Sequence, residues 1–194
     1  MVPTFDAGTY PALLGNESFC ALKFKDPSTL LLGGNAGQSE LGGTFTLPWT
    51  ESDPQFSRLP GSDATGAVLP ETEATHNCHD VQWAASDEQD SYWVPSGGGL
   101  MNALRRYNAT SGEATAFLPF ADVTWDINHA QLTESDSVAY LSSRMTSSIV
   151  KANTADGTVA WIAGGADGEF TATHLDGTSY QAGEAPCVYQ HNAE

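Results

Sequence analysis

Basic residues are scarce in this chain. Its 194 residues include seven Lys and Arg against 24 Asp and Glu, which gives a formal net charge of −17 at pH 7. Proteins that bind nucleic acid or anionic membranes need surface Lys and Arg to displace counterions from the phosphates. The composition therefore argues against both of these partners and favours a self-repelling, soluble surface.

Long apolar runs and helical periodicity are also missing. A transmembrane helix needs about 20 consecutive apolar residues, and no such run is present, so no membrane insertion is expected. The first 15 residues lack the basic start and apolar stretch of a signal peptide. The nearest approach to a helical period, Leu100–Tyr107, is too short to predict a helix.

Cysteines are few, and their spacing matches no metal motif. Cys20, Cys78 and Cys187 are odd in number and far apart. One disulfide with a leftover thiol and three buried reduced thiols both remain open. The sequence indicates no metal and no bound cofactor.

The chain does contain many short apolar runs, separated by Gly, Ser, Asp, Thr and Pro. This pattern predicts an all-β fold: a sandwich, a barrel or a propeller. One internal repeat is visible, because Arg106–Gly112 aligns with Lys151–Gly157 at an offset of 45, matching a basic residue, an Asn and a turn Gly. A period in the forties with four short strands is typical of a propeller blade. A non-repeating sandwich with similar hairpins is the alternative.

We therefore predict one partial β-propeller domain that covers roughly half of a ring. Its predicted parts are an irregular first blade (1–48), a loop or insertion (49–75), two blades (76–121 and 122–165), a loop (166–188) and the start of another blade (189–194). Closed propellers have about four to eight blades, and an open one leaves unpaired strand edges. We expect the chain to be a fragment, or a second chain to complete the propeller.

Several short motifs follow one another from about residue 76 onward. They are Asn77-Cys78-His79-Asp80-Val81, Trp125-Asp126-Ile127-Asn128-His129, Leu141-Ser142-Ser143-Arg144 with Ser148-Ile149-Val150-Lys151, Trp161-Ile162-Ala163-Gly164-Gly165, and Gln190-His191-Asn192-Ala193. In order and spacing they resemble the arylsulfotransferase family, the PAPS-independent aryl-sulfate sulfotransferases. The resemblance implies a six-bladed β-propeller with its active site at the central channel. It also implies transfer of a sulfuryl group from an aryl sulfate to a phenol through a transiently sulfated histidine.

The resemblance assigns a role to each candidate site residue. His191 would be the nucleophile, because a neutral imidazole attacks well near pH 7. Arg144 would bind the sulfuryl oxygens, because its guanidinium is a permanent charge with a fixed fork of N–H groups. His79 and His129 would be the proton or hydrogen-bond donors to the departing phenolate. Asn128 would help to bind the substrate.

One residue departs from the family pattern. Asp126 stands where the family has a histidine, two residues before Asn128, while His129 follows the Asn directly. Neighbouring side chains on a strand point to opposite faces, so His129 should face away from Asp126 and Asn128 unless the backbone is irregular. An Asp at this place would also repel a sulfate. The alternative function is a non-catalytic propeller that serves as a binding or scaffold module.

The compartment is not fixed by the sequence. Asn16 and Asn108 each begin a glycosylation sequon, which matters only in a secreted protein. Together with the family resemblance they favour secretion or an organellar lumen weakly.

Overall fold

The structure, a computed structural model, describes residues 19–34, 43–53, 55–60, 79–84, 91–96, 102–133, 135–188 and 190. These residues form strands and turns and contain no helix. The strands are β1 (Phe19–Asp26), β2 (Thr29–Gly34), β3 (Gly43–Leu47), β4 (Ser57–Arg58), β5 (Gln82–Trp83), β6 (Ser91–Ser96), β7 (Ala103–Asn108), β8 (Ala114–Pro119), β9 (Ile127–Thr133), β10 (Val138–Ser143), β11 (Ser148–Asn153), β12 (Val159–Ala163), β13 (Ala172–Thr173) and β14 (Ser179–Tyr180).

Consecutive strands pair to form three four-stranded antiparallel sheets. Sheet 1 is β1–β4, sheet 2 is β5–β8 and sheet 3 is β9–β12, each with its strands in chain order, while β13 and β14 form a separate hairpin. The prediction of an all-β fold is confirmed for the described residues. In this part of the chain no helix is long and apolar enough to cross a membrane.

The three sheets are joined by two apolar layers. Successive side chains of a strand point to opposite faces of its sheet. On β10, for example, Ala139 and Leu141 are buried on one face while Tyr140 lies on the other. The first layer joins sheets 1 and 2 through Ala21, Leu31, Val81, Tyr92, Val94 and Tyr107. The second joins sheets 2 and 3 through residues that include Trp93, Leu104, Leu118, Ala130, Leu141, Val150 and Ile162. Sheet 2 is therefore covered on both faces, and every residue of β6 is buried.

The first strands of the sheets lie side by side. β1 contacts β5, and β5 contacts β9. Each of these strands is at the edge of its own sheet, so each has a row of backbone groups that its sheet does not pair. This common side of the stack is where the candidate site lies.

The internal repeat predicted from the sequence is confirmed. Residues 106–112 run from β7 into the turn before β8, and residues 151–157 run from β11 into the equivalent turn before β12. In both turns the glycine has a positive φ of 75°, and its N–H donates to the carbonyl oxygen of the Asn, Asn108 or Asn153. Glycine adopts this backbone conformation without the steric cost that a side chain would add.

Two predicted loops contain short strands. The predicted loop 49–75 includes β4, which pairs with β3 through Phe45–Arg58 and Thr46–Ser57 and completes sheet 1. The predicted loop 166–188 includes the β13–β14 hairpin, in which Ala172 pairs with Tyr180. All three strands, β4, β13 and β14, are two residues long, too short to show a hydrophobic alternation in the sequence.

We expect Leu141→Ala to lower the free energy of unfolding by about 2–5 kcal/mol, because it leaves a cavity in the layer between sheets 2 and 3. Leu175→Ala is the matched control, since Leu175 is fully exposed in the β13–β14 hairpin. Urea unfolding followed by tryptophan fluorescence measures both variants. Equal midpoints for the two variants would contradict this account of the core.

Candidate functional site

The start of β9 is irregular. A β-bulge interrupts the pairing of β9 with β10, because Ser142 pairs with His129 while Ser143 pairs with Ile127, which leaves Asn128 as the extra residue. Just before it, Asp126 has a positive φ of 64°, a conformation that Asp tolerates better than most residues. The alternation expected for a regular strand is therefore broken here, and Ile127, Asn128 and His129 are all buried.

Asp126 brings two of the predicted site residues together. Its Oδ1 lies 3.8 Å from Nε2 of His79, and its Oδ2 lies 3.6 Å from Nη1 of Arg144. Arg144 is also fixed through its backbone, since its N–H donates to the carbonyl oxygen of Asp126 at 3.0 Å. The Asp126 side chain is mostly buried, whereas those of His79 and Arg144 are partly open to solvent. Asp126 thus lies between His79 and Arg144, the two groups predicted to act on a substrate.

Asn128 connects this cluster to Gln190. The Nδ2 of Asn128 donates to the backbone carbonyl oxygen of Gln190 at 3.0 Å. The Nε2 of Gln190 donates in turn to the carbonyl oxygens of Ser143 and Ser148, at 3.0 Å and 2.8 Å. These bonds hold Gln190 against the end of β10 and the start of β11. His191, the predicted nucleophile, is the next residue in the sequence and lies outside the described residues.

His129 faces a different carboxylate. Its Nδ1 lies 3.2 Å from Oδ2 of Asp80, and both side chains are buried. The Nζ of Lys23, on β1, lies 3.8 Å from the other oxygen of the same carboxylate. Asp80 therefore bridges residues of sheet 1 and sheet 3 from its position just before β5.

Asp80 and Gln82 also bind the open edge of β9. The N–H of Ala130 donates to Oδ2 of Asp80 at 2.7 Å, and the N–H of Leu132 donates to Oε1 of Gln82 at 3.1 Å. Two side chains that are two residues apart, at and just before β5, thus accept hydrogen bonds from two backbone amides of β9 that are also two residues apart. Burial raises the pKa of Asp80, and the nearby Lys23, the Ala130 N–H and His129 oppose that rise.

A small apolar cavity adjoins Gln190. It has a volume of about 150 Å³ and lies between sheet 3 and the segment that follows β12; its lining includes Ile149, Ala163, Phe170, Pro186, Cys187 and Gln190. Nearby at the bulge, Oδ1 of Asn128 and Oγ of Ser142 are buried without a hydrogen-bond partner among the described residues. Buried acceptors of this kind are usually satisfied by water or a ligand.

Metal ligands and disulfides can be assessed only for the described side chains. Within them, no group of three His, Cys, Asp or Glu side chains could hold a metal ion. Cys187 is a free, exposed thiol. The side chains of Cys20 and Cys78 lie outside the described part of the chain, so their pairing stays open.

The structure thus brings His79, Asn128, His129 and Arg144 to one end of sheet 3. His79 and Arg144 meet at Asp126, whereas His129 contacts Asp80. Sequence reasoning missed the parts played by Asp80 and Gln82. Their partners are backbone amides, His129 and a distant lysine. Only the two-residue spacing of Asp80 and Gln82, which matches that of Ala130 and Leu132, could have suggested these contacts.

Comparisons with known proteins give little guidance. No family model matches the chain, and no curated protein matches it. Among solved structures, a Bacteroides fragilis protein described as a candidate 6-phosphogluconolactonase is similar, with 13% identity and a TM-score of 0.40. The alignment covers 72% of this chain and 36% of that one, so this chain spans about a third of that protein.

We expect Asp80→Ala to lower the free energy of unfolding by about 3–5 kcal/mol, because it removes the acceptor shared by Lys23, His129 and the Ala130 N–H. Asp176→Ala is the control, since Asp176 only accepts a bond from Thr178 in an exposed turn. Urea unfolding at neutral pH compares the two. A small loss for Asp80→Ala, equal to that of the control, would refute the bridging role.

Proposed function

We propose that the chain is part of a β-propeller and that its site transfers a sulfuryl group from an aryl sulfate to a phenol. The proposal is supported mainly by one observation, that residues from separate sequence motifs lie close together in the fold. His79, Asp126, Arg144 and Gln190 span 112 positions of the sequence, from 79 to 190. Contacts at the start of β9, the end of β10 and the start of β11 bring them to one place.

The propeller part of the proposal is supported by the serial stack of sheets. Three four-stranded sheets of consecutive strands pack face to face, and their first strands lie side by side. This arrangement is what blades around a central channel require. Three sheets are fewer than the roughly four to eight of a closed ring, so the proposal includes further sheets, supplied by a second chain or by a longer protein.

The proposed reaction has two steps. In the first, an imidazole nitrogen of His191 attacks sulfur, the bond between sulfur and the aryl oxygen breaks, and the phenolate leaves with a proton from a donor. In the second, a phenol oxygen attacks the sulfur and loses its proton to the group that gave one before. The nitrogen–sulfur bond then breaks and a new aryl sulfate forms. No cofactor takes part.

Exposure divides the roles of the two proposed donors. The side chain of His79 is 29% exposed, whereas that of His129 is 4% exposed and lies against Asp80. His79 is therefore the donor that a substrate in solution can reach. His129 instead supports the start of β9 through its buried contact with Asp80. Arg144, 41% exposed, is the group that binds the sulfuryl oxygens.

One observation favours a second function, a binding module without catalysis. The carboxylate of Asp126 lies within 4 Å of both Arg144 and His79, so it offsets the positive charge that a sulfate would need. In this alternative the same cluster binds a neutral polar ligand through its hydrogen-bonding groups.

We expect the wild-type protein to release phenol from an aryl sulfate, and His191→Ala to lower the rate by a factor on the order of 10³ or more, because the nucleophile is lost. His174→Ala is the matched control, since His174 lies in the exposed β13–β14 hairpin. The assay follows the absorbance of the released phenol with a phenolic acceptor present. Absence of release from the wild type would rule out the enzyme.

We expect Asp126→Asn to tighten the binding of an aryl sulfate about tenfold, a change of about 1.4 kcal/mol, because the substitution removes a negative charge beside Arg144. Asn also tolerates the positive φ of this position. Isothermal titration calorimetry with wild type and variant measures the change, and Asp122→Asn, an exposed carboxylate nearby in sequence, is the control. Unchanged affinity would show that Asp126 does not govern anion binding.

A further inference from the structure

The apolar cavity beside Gln190 lies on the outer face of sheet 3, the face turned away from sheet 2. Ile149 on β11 pairs with Ala163 on β12, and both line the cavity. Their sequence neighbours Val150 and Ile162 point to the opposite face, where they belong to the core shared with sheet 2. The chain that follows β12 forms the other wall of the cavity.

This wall is bound to the sheet by contacts of its own. The N–H of Glu169 donates to the carbonyl oxygen of Ile162 at 2.9 Å, and Oε1 of Glu169 accepts from the N–H of Ile162 at 3.3 Å. The next residue, Phe170, lines the cavity and packs edge-on against Trp161, with the ring centroids 5.5 Å apart. The cavity is therefore preformed, and a ligand that enters it needs to order little of the chain.

The size and lining of the cavity favour a small aromatic ring. Its volume is about 150 Å³, roughly that of an engineered apolar cavity that binds benzene. The apolar side chains of the lining are Ile149, Ala163, Phe170, Ala172 and Pro186. These side chains offer water few hydrogen bonds, whereas an aromatic ring fills the space and contacts Phe170.

The Gln190 amide is a polar group of the lining whose direction is fixed. Its Nε2 donates to two carbonyl oxygens, those of Ser143 and Ser148. Turning the amide over would put its oxygen against both carbonyls, so Oε1 stays on the other side. That oxygen is buried and has no hydrogen-bond partner among the described residues. A ligand with an N–H or O–H group would satisfy it.

The lining also indicates the charge of the ligand. Its remaining polar side chains are those of Ser147 and Cys187, and none of the described residues that line the cavity is Asp, Glu, Lys, Arg or His. A charged ligand placed here would lose its hydration without gaining an opposite charge. An uncharged ligand is therefore favoured, and an aryl sulfate is disfavoured.

We infer that this cavity binds an uncharged, single-ring aromatic molecule that carries one N–H or O–H donor group. The ring lies among Ile149, Phe170 and the other apolar side chains, and the donor group binds Oε1 of Gln190. Binding here does not depend on the proposed transfer of a sulfuryl group.

Aniline and toluene are matched probes, because they have nearly the same shape and only aniline carries N–H donors. We expect both to bind the wild-type protein in a saturable way, measured by titration in ¹H–¹⁵N NMR spectra through the backbone amide signals around the cavity. Gln190→Met should weaken aniline about tenfold and change toluene by less than about twofold, because only aniline loses a hydrogen-bond acceptor. Equal weakening of the two probes would overturn the inference.

A variant that fills the cavity locates the site. Ala163→Leu places a longer side chain in the cavity, so we expect it to abolish the saturable binding of both probes. Ala160→Leu, at an exposed position of the same strand, is the matched control and keeps wild-type affinity. Circular dichroism verifies that each variant is folded.

Two further results would contradict the site: the absence of saturable shifts with the wild type, or unchanged binding to a folded Ala163→Leu variant. Neither probe carries a sulfuryl group, so the outcome is separate from that of the sulfuryl-transfer assay. A protein that releases phenol but binds neither probe would refute the cavity site alone. A protein that binds aniline but releases no phenol would refute the enzyme alone.

Discussion

The carboxylate of Asp80 is the contact on which the arrangement of the three sheets depends. It belongs to sheet 2, lies near Lys23 of sheet 1, and binds both a backbone amide and His129 of sheet 3. A buried carboxylate is costly unless several donors or positive charges surround it. Since these partners come from different sheets, the charge is compensated only when all three sheets are in place. The apolar layers supply most of the driving force for stacking, but they do not specify register as this group does.

The same residues solve the problem of an exposed strand edge. β9 lies at the edge of sheet 3, and unpaired edge amides invite aggregation or leave buried donors unsatisfied. Asp80 and Gln82 pair two of these amides with side-chain oxygens, so sheet 2 binds sheet 3 without adding a fifth strand. The open edge of β9 is thus satisfied by side chains of the preceding sheet.

The sequence predicted the presence of the strands and turns better than it predicted where the strands end and which residues contact one another. The turn of residues 106–112 and that of 151–157 were recognisable because Asn and Gly have fixed roles in such turns. β4 and the β13–β14 hairpin were missed, since two-residue strands carry no periodicity. At the site, the spacing of Asp126, Asn128 and His129 was visible in the sequence. The directions of their side chains depend on a bulge and a positive φ, which no local sequence pattern predicts. The role of Asp80 depends on residues 50 or more positions away, and only the folded chain defines it.

Local charge, more than the net charge of −17, decides what the cluster at Asp126 can bind. At about 0.1 M salt the Debye length is about 10 Å, so distant carboxylates are largely screened. Among the residues that the structure describes, the ion pairs of Asp126 are with Arg144 and, when it is protonated, with His79. With a neutral His79 the positive and negative charges cancel, and the cluster offers directed donors rather than a positive field. With a protonated His79 one positive charge remains, and an anion is then favoured. Under the proposed function, Asp126 therefore makes anion binding at this cluster depend on whether His79 is protonated, whereas Arg144 without Asp126 would carry its positive charge in either state.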